Sequence, residues 1–298
     1  MKISSMYKSF ETIEDFIRDI YECDFLKETL DSKISQIQEI RIAHQTVRGI
    51  IDENRPPFSE EFVENVFPIL EVAVQWDHLK KSKKIPQQFM QKCKKRMDSS
   101  GSNFRGTMFE LDMATRCLLS NWEVDFPENY TKKGKQIDLI VKKPNGERIA
   151  LECASKRGTD IIDAQKINET IQLKNEKFEP RHLKLLNIQL TQKTIVLDLT
   201  DRNYETPQIL SDMSKISTCD NIDGVALTWR EDIVENENHS IRIKYKCLGN
   251  IPDKYFSATW AAEFHKGPVF FLRKYVEPEP KHGRWGPEET CQSAGDEI

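Results

Sequence analysis

The stretch QIDLIVKKPNGERIALECAS, residues 136–155, predicts two neighbouring antiparallel strands. Its first part, QIDLIV, is an apolar strand that carries the carboxylate of Asp138. In its last part, RIALECAS, apolar side chains alternate with a row that contains Glu152, which is the two-residue period of a strand. The pair Asn145-Gly146 between them favours a tight hairpin turn. The two carboxylates are therefore expected at the same end of one sheet.

Outward from this hairpin, the pattern indicates an α/β domain over residues 99–276. A helical segment, FRGTMFELDMATRCLLSN, and a short strand, WEVDF, precede the hairpin. A helix over about residues 160–178 follows it, and KTIVLDLT and DGVALTW are further strands. A strand meander joined by a crossover helix to further strands is typical of a mixed sheet flanked by helices.

Residues 1–98 predict an all-α N-terminal domain. Two apolar stripes recur at helical spacing, one with Phe10, Ile13, Ile17, Ile20 and Phe25, the other with Ile34, Ile37, Ile40 and Val47. A third helix is expected to start near Ser59 and to continue with a kink at Pro68. Residues 277–298 are rich in proline, glycine and polar residues, which predicts a disordered tail.

The composition favours a globular, cytoplasmic protein. Charged residues make up 31% and hydrophobic residues 38% of the 298 positions. The start lacks an apolar signal core and no run reaches membrane-spanning length, so no membrane association is expected. The seven scattered cysteines argue against a disulfide scaffold and a structural zinc site. With a net charge of -4, nucleic-acid binding would depend on local basic patches.

Three acidic residues are candidates for chemistry: Glu110 in a helix, Asp138 and Glu152 in the hairpin. Converging carboxylates repel one another unless a cation neutralises them, and oxygen ligands favour Mg²⁺ or Mn²⁺. Structural alternatives exist for each residue. Glu110 could be a helix-surface charge, and Asp138 could close a turn or pair with Lys135. Glu152 could protect an edge strand from aggregation.

From about Phe104 to Trp229, the order of elements, the Glu in FEL, Asp138 and the Glu of ALEC resemble the PD-(D/E)xK, restriction-endonuclease-like nuclease superfamily. The resemblance implies a restriction-endonuclease-like sheet and a Mg²⁺-dependent hydrolase of phosphodiester bonds. It further implies that Asp138, Glu152 and the carbonyl of Cys153 bind the metal. Glu110 would hold a second metal or orient a water.

The lysine of that signature is displaced in this chain. The position two residues after Glu152 holds Ala154, and Ile137 stands where a proline would precede the aspartate. Lys156 lies on the correct strand face but about 13 Å from Glu152 along the strand. Lys166 on the following helix is the other candidate, and the absence of any catalytic lysine is the third alternative.

Two basic segments are candidates for contact with a phosphate backbone. Residues 80–96 contain eight basic and no acidic side chains, among them Lys94, Lys95 and Arg96. The second segment, which precedes Asp138, contains Lys132, Lys133 and Lys135. Clustered basic residues gain affinity for nucleic acid by releasing counterions, although solvated helix faces and turns have the same composition.

The function expected from these residues is a Mg²⁺-dependent DNA endonuclease, with RNA as the alternative substrate and Mn²⁺ as the alternative metal. A catalytically inactive nuclease-like module that binds nucleic acid or assembles a complex is the second hypothesis, because Ala154 replaces the lysine. A regulatory helical protein whose α/β part mediates dimerisation is the third. A homodimer or a partner protein is compatible with all three.

Overall fold

The computed structural model describes residues 4–53, 60–81, 87–98, 101–127, 130, 135–156, 163–200, 205–235, 238–250, 261–265 and 269–273. The chain divides into two compact units. One unit contains Met1–Thr115 with Phe264–Phe271, and the other contains Arg116–Glu263 with Leu272–Ile298. The predicted tail, residues 277–298, lies outside the described residues. No described helix is long and apolar enough to cross a membrane.

Six α-helices and a 3-10 turn (Ile34–Gln36) lie in the described part of the chain before the first strand. The α-helices are α1 (Ser4–Tyr21), α2 (Gln38–Asp52), α3 (Glu60–Asn65), α4 (Phe67–Lys81), α5 (Gln87–Met97) and α6 (Gly101–Leu119). The division between the units falls inside α6, between Thr115 and Arg116, whereas the sequence suggested a boundary at residues 98 and 99.

The core of the helical unit follows the apolar stripes predicted from the sequence. All nine residues of the two stripes are buried, including Phe10 on α1 and Ile40 on α2. Phe16 packs edge-on against Trp76 of α4, with ring centroids 6.2 Å apart. The described helices of this unit therefore bury the apolar side chains that the sequence pattern assigns to their inner faces.

The expected kink at Pro68 is a break between two helices. Helix α3 ends at Asn65 and α4 begins at Phe67. Because proline lacks an N–H group, it is tolerated in the first turn of a helix, where that group has no intrahelical acceptor. Pro68 therefore lies where a new helix starts.

The second unit is built on a mixed sheet, which confirms the α/β class. Its strands include β1 (Glu123–Asp125), β2 (Leu139–Lys142), β3 (Arg148–Ser155), β4 (Gln192–Asp198), β5 (Gly224–Glu235) and β6 (Asn238–Gly249), which are hydrogen-bonded in chain order. Two further strands, β7 (Ala261–His265) and β8 (Val269–Arg273), follow along the chain, and each contains residues of both units. The pairs β1-β2, β2-β3 and β5-β6 are antiparallel, and β3, β4 and β5 are parallel neighbours.

The crossover between β3 and β4 contains α7 (Ala164–Asn175), a 3-10 turn (Glu176–Phe178) and α8 (Pro180–Leu183). Asp163 caps α7 by accepting a hydrogen bond from the Lys166 N–H at 2.8 Å. The apolar side chains of this crossover pack on one sheet face, in a cluster that includes Ile167, Ile171, Phe178, Ala150 and Ile195. Between β4 and β5 lies a distorted 3-10 segment, Gln208–Lys215.

Candidate functional site

The hairpin between β2 and β3 forms as the Asn-Gly pair predicts. Gly146 has φ +87°, a left-handed conformation that residues with a Cβ rarely adopt. The Lys143 N–H donates to the Glu147 carbonyl at 2.9 Å, which closes the turn. The prediction of an antiparallel hairpin is confirmed.

The hairpin register brings Asp138 and Glu152 together. Leu139 pairs with Leu151, so Asp138, which directly precedes β2, lies across from Glu152. The Asp138 N–H donates to the Leu151 carbonyl at 3.1 Å, and the Cys153 N–H donates to Asp138 Oδ2 at 2.8 Å. Two main-chain hydrogen bonds therefore fix Asp138, one through its backbone and one through its carboxylate.

Both carboxylates lie inside the protein. Glu152 is 0% exposed and Asp138 is 5% exposed. β3 lies between β2 and β4, so Glu152 is not an edge-strand charge, and that alternative is wrong. Glu152 shares its strand face with Ala150 and Ala154, which pack in the apolar cluster of the crossover. A carboxylate in such surroundings requires positive partners or a proton.

The positive partners of Glu152 come from the crossover. Glu152 Oε1 lies 2.5 Å from the Nζ atom of Lys174, at the end of α7, and 2.5 Å from the Nζ atom of Lys177, in the 3-10 turn. Lys177 Nζ also lies 3.4 Å from Asp138 Oδ1. Two lysines thus balance two carboxylates, and Lys177 contacts both.

The other oxygen of the same carboxylate has no such partner. Glu152 Oε2 is buried and has no hydrogen-bond donor among the residues that the structure describes. A buried acceptor that lacks a donor costs free energy, of order 1–3 kcal/mol. The missing partner of this oxygen lies outside the described side chains and main chain.

Burial dominates the ionisation of Glu152. Burial and, after it, the Asp138 carboxylate raise the pKa of Glu152, Lys174 and Lys177 oppose both effects, and the net pKa is about 8. For Lys174, burial lowers the pKa, but the carboxylates of Glu152 and Asp138 outweigh burial, and the net direction is upward. The raised pKa of Glu152 favours its neutral form, whereas the raised pKa of Lys174 favours its charged form. We take Lys174 as charged throughout and Glu152 as the group that titrates, because Glu152 is the more deeply enclosed.

The lysines expected from the sequence lie elsewhere. Lys156 directly follows β3, and its N–H donates to the Asp198 carbonyl at 2.7 Å, continuing the ladder with β4. It is not among the ion-pair partners of Glu152. Lys166 is an exposed side chain in the first turn of α7. The groups that do contact the carboxylates, Lys174 and Lys177, were missed by the sequence analysis.

A signal for Lys174 was present in the helical period. Ile167, Ile171, Lys174 and Phe178 are spaced by four, three and four residues, which is the spacing of one helix face. The three apolar members of this stripe are buried against the sheet. A lysine at a core-facing position requires a buried partner of opposite charge, and Glu152 on the strand beneath the helix provides it.

Glu110 is a buried ion-pair residue of the helical unit. Its side chain is 3% exposed, and its Oε1 and Oε2 atoms lie 2.5 Å and 2.6 Å from Nη1 of Arg96. The alternative of a helix-surface charge is therefore wrong. Arg96, a candidate for nucleic-acid contact, is 34% exposed and holds α5 to α6 through this pair.

The other basic candidates have mixed surroundings. Lys94 donates to the main-chain carbonyl of Asp19, and Lys95 is exposed on α5. Lys135 forms an ion pair with Glu176. Lys132 and Lys133 lie outside the described residues. Of these described candidates, Lys94 and Lys135 therefore already contact an acceptor of their own unit, whereas Lys95 is exposed.

Few groups that could ligate a metal ion lie near Glu152 in the described part of the chain. No group of three or more His, Cys, Asp and Glu side chains in the described ranges is arranged to hold a metal ion. Asp138 and Glu152 supply two carboxylates, and strand geometry directs the Cys153 carbonyl to the same side as its N–H, which faces Asp138. All of these donors are oxygen atoms, which suits Mg²⁺ or Mn²⁺ with water completing the shell.

Comparison of the chain with protein-family models, curated proteins and solved structures found no match.

Proposed function

We propose that this protein is a Mg²⁺-dependent phosphodiester hydrolase, with DNA as the favoured substrate and endonucleolytic cleavage as the favoured reaction. One observation carries the proposal. Asp138 and the fully buried Glu152 lie side by side on a hairpin, with two lysines beside them and with Glu152 Oε2 lacking a donor among the described residues. Carboxylates beside ammonium groups are the elements that phosphoryl transfer by water requires.

The residues present fit a hard divalent cation. Asp138, Glu152 and the Cys153 carbonyl would hold Mg²⁺ or Mn²⁺, and the open Glu152 Oε2 atom supports this assignment. The metal would supply an activated water and charge compensation at the phosphoryl oxygens. The hydrogen bond from the Cys153 N–H holds the Asp138 carboxylate in one orientation, so little reorganisation is needed.

The lysines have a distinct task in this proposal. Lys174 and Lys177 take the place that the sequence analysis gave to Lys156 or Lys166. An ammonium group on a flexible stem donates hydrogen bonds to phosphoryl oxygens and stabilises the charge that grows there. Lys174 and Lys177 are about one helical turn apart, so both can serve one phosphate.

A second candidate function is a nuclease-like module without catalytic activity. One observation favours it: two ammonium groups already balance the charges of Asp138 and Glu152. In this candidate the buried charges form a structural network, and the module binds nucleic acid or assembles a complex.

The two candidates differ in a cleavage assay. Purified protein is incubated with supercoiled plasmid, linear duplex, single-stranded DNA and RNA, each with Mg²⁺, Mn²⁺ or EDTA. Metal-dependent cleavage that disappears in Asp138→Asn supports the hydrolase, because Asn keeps the side-chain shape but removes the charge. Cleavage that persists in Asp138→Asn contradicts the assignment. Binding without cleavage of any substrate supports the inactive module.

A further inference from the structure

Lys177 contacts the two carboxylates differently from Lys174. Its Nζ atom lies 2.5 Å from Glu152 Oε1 and 3.4 Å from Asp138 Oδ1. Lys174 Nζ lies 2.5 Å from Glu152 Oε1, which is its ion-pair partner among the described residues. Lys177 is therefore the cation that bridges the two carboxylates, whereas Lys174 contacts only one of them.

We infer that Lys177 is a tethered competitor of the divalent ion, because its ammonium group already bridges the two carboxylates, Asp138 and Glu152, that the ion would bridge. This inference rests on the proposed function, since it concerns the regulation of the proposed metal site. An ion ligated at about 2.0–2.1 Å by both carboxylates lies between them. The bridging ammonium of Lys177 takes that position.

Charge and space both require one lysine to withdraw. Two ammonium groups and a divalent ion around two carboxylates would carry an excess of positive charge in a buried place, where like charges repel strongly. Glu152 Oε1 already has two nitrogen atoms at 2.5 Å. Metal binding through this carboxylate is therefore coupled to the departure of an ammonium group.

Lys177 is the group that leaves. Lys174 can keep its contact with Glu152 Oε1 while an ion binds at Asp138 and Glu152 Oε2, but Lys177 cannot keep both of its contacts. The side chain of Lys177 is 25% exposed and ends a flexible four-carbon stem, so a path to solvent exists. The displaced ammonium stays within one side-chain length of the metal, where it can contact the phosphate of a substrate.

The test is Mn²⁺ binding at constant pH, followed by electron paramagnetic resonance of free Mn²⁺ and by calorimetry. The variants are Lys177→Met, Lys177→Gln, Lys174→Met and Lys184→Met, the last a control at an exposed lysine of the same unit. We expect Lys177→Met and Lys177→Gln to bind Mn²⁺ at least tenfold more tightly than the wild type. Lys174→Met should tighten binding less, and Lys184→Met should leave it unchanged. Circular dichroism verifies that each variant is folded.

The outcomes separate this inference from the proposed function. If the wild type binds Mn²⁺ and cleaves, but both Lys177 variants bind no more tightly, the competitor role is overturned and the hydrolase stands. If neither the wild type nor any lysine variant binds Mn²⁺, both are overturned. Tighter binding in the Lys177 variants that Asp138→Asn abolishes supports both. Tighter binding that survives Asp138→Asn places the ion elsewhere and overturns the competitor role.

Discussion

Lys174 Nζ lies 2.5 Å from Oε1 of Glu152, although 22 residues separate the two in the chain. The helix α7 carries the lysine on its apolar face and the central strand β3 carries the glutamate beneath it. The carboxylate is thus neutralised from the helix layer and not from its own strand. This relationship moves the candidate lysine from the strand, where a superfamily signature would place it, to the helix that follows.

The ionisation of Glu152 makes stability depend on pH. Its pKa is raised from 4.5 to about 8, so the native state holds a proton that the unfolded chain releases. The stabilisation is complete below pH 4.5 and is lost as the pH rises through 8. The loss is on the order of a few kcal/mol. Urea unfolding of the protein at a series of pH values in EDTA measures this loss.

Glu152→Gln is the matched variant for that series. Glutamine keeps the shape of the protonated carboxyl and does not titrate, so the fall in stability across this pH range should be much smaller. Glu123→Gln, at a glutamate whose side chain is 71% exposed, serves as the control and should retain the wild-type dependence. An identical pH dependence in the wild type and in Glu152→Gln would show that this carboxyl ionises at its ordinary pKa.

The placement of the lysines predicts which substitution abolishes cleavage. We expect Lys174→Met to lower the rate about 10²–10³-fold, as loss of a group that stabilises the transition state does. Lys156→Ala should retain cleavage within about twofold, since Lys156 is not an ion-pair partner of Glu152. Single-turnover cleavage of a labelled duplex measures both rates. If Lys156→Ala abolishes cleavage and Lys174→Met does not, the catalytic lysine is Lys156, which follows the strand.

If Asp138 is a metal ligand, Mn²⁺ affinity depends on the charge of its carboxylate. Asp138→Asn should weaken Mn²⁺ binding by more than tenfold, because an uncharged amide is a poorer ligand than a carboxylate. The fold should persist, since the side-chain oxygen of Asn can still accept the Cys153 N–H hydrogen bond. Calorimetric titration with Mn²⁺ provides the affinity, and circular dichroism provides the control for folding. Unchanged affinity would exclude Asp138 as a ligand.

The pair Arg96–Glu110 predicts a structural effect in the helical unit. Arg96→Met leaves a 3% exposed carboxylate without its guanidinium, which should cost about 3–5 kcal/mol of unfolding free energy. Adding Glu110→Gln should recover much of this loss. Lys95→Met, at an exposed neighbour, should change stability by less than about 0.5 kcal/mol. Urea unfolding measures all three. If Arg96→Met is as stable as the wild type, the ion pair contributes little to the fold.

The success of the sequence predictions depended on the range of the interactions. The apolar stripes of α1 and α2 are local patterns of period 3.6, and their residues are buried as expected. The apolar pattern continues across Pro68 and so predicts one helix, whereas the helix is interrupted at Val66 and Pro68 lies in the first turn of the next helix. The environment of Arg96 was not predictable, because it depends on how α5 packs against α6.

The sequence by itself determined the hairpin and, through its register, the pairing of Asp138 with Glu152. Strand alternation and the left-handed turn at Gly146 are properties of neighbouring residues, so they require no knowledge of the rest of the fold. Only the tertiary structure decided which cations meet these carboxylates. Lys174 and Lys177 reach Glu152 because α7 and its 3-10 turn pack over β3, and this docking depends on contacts between segments that are distant in sequence.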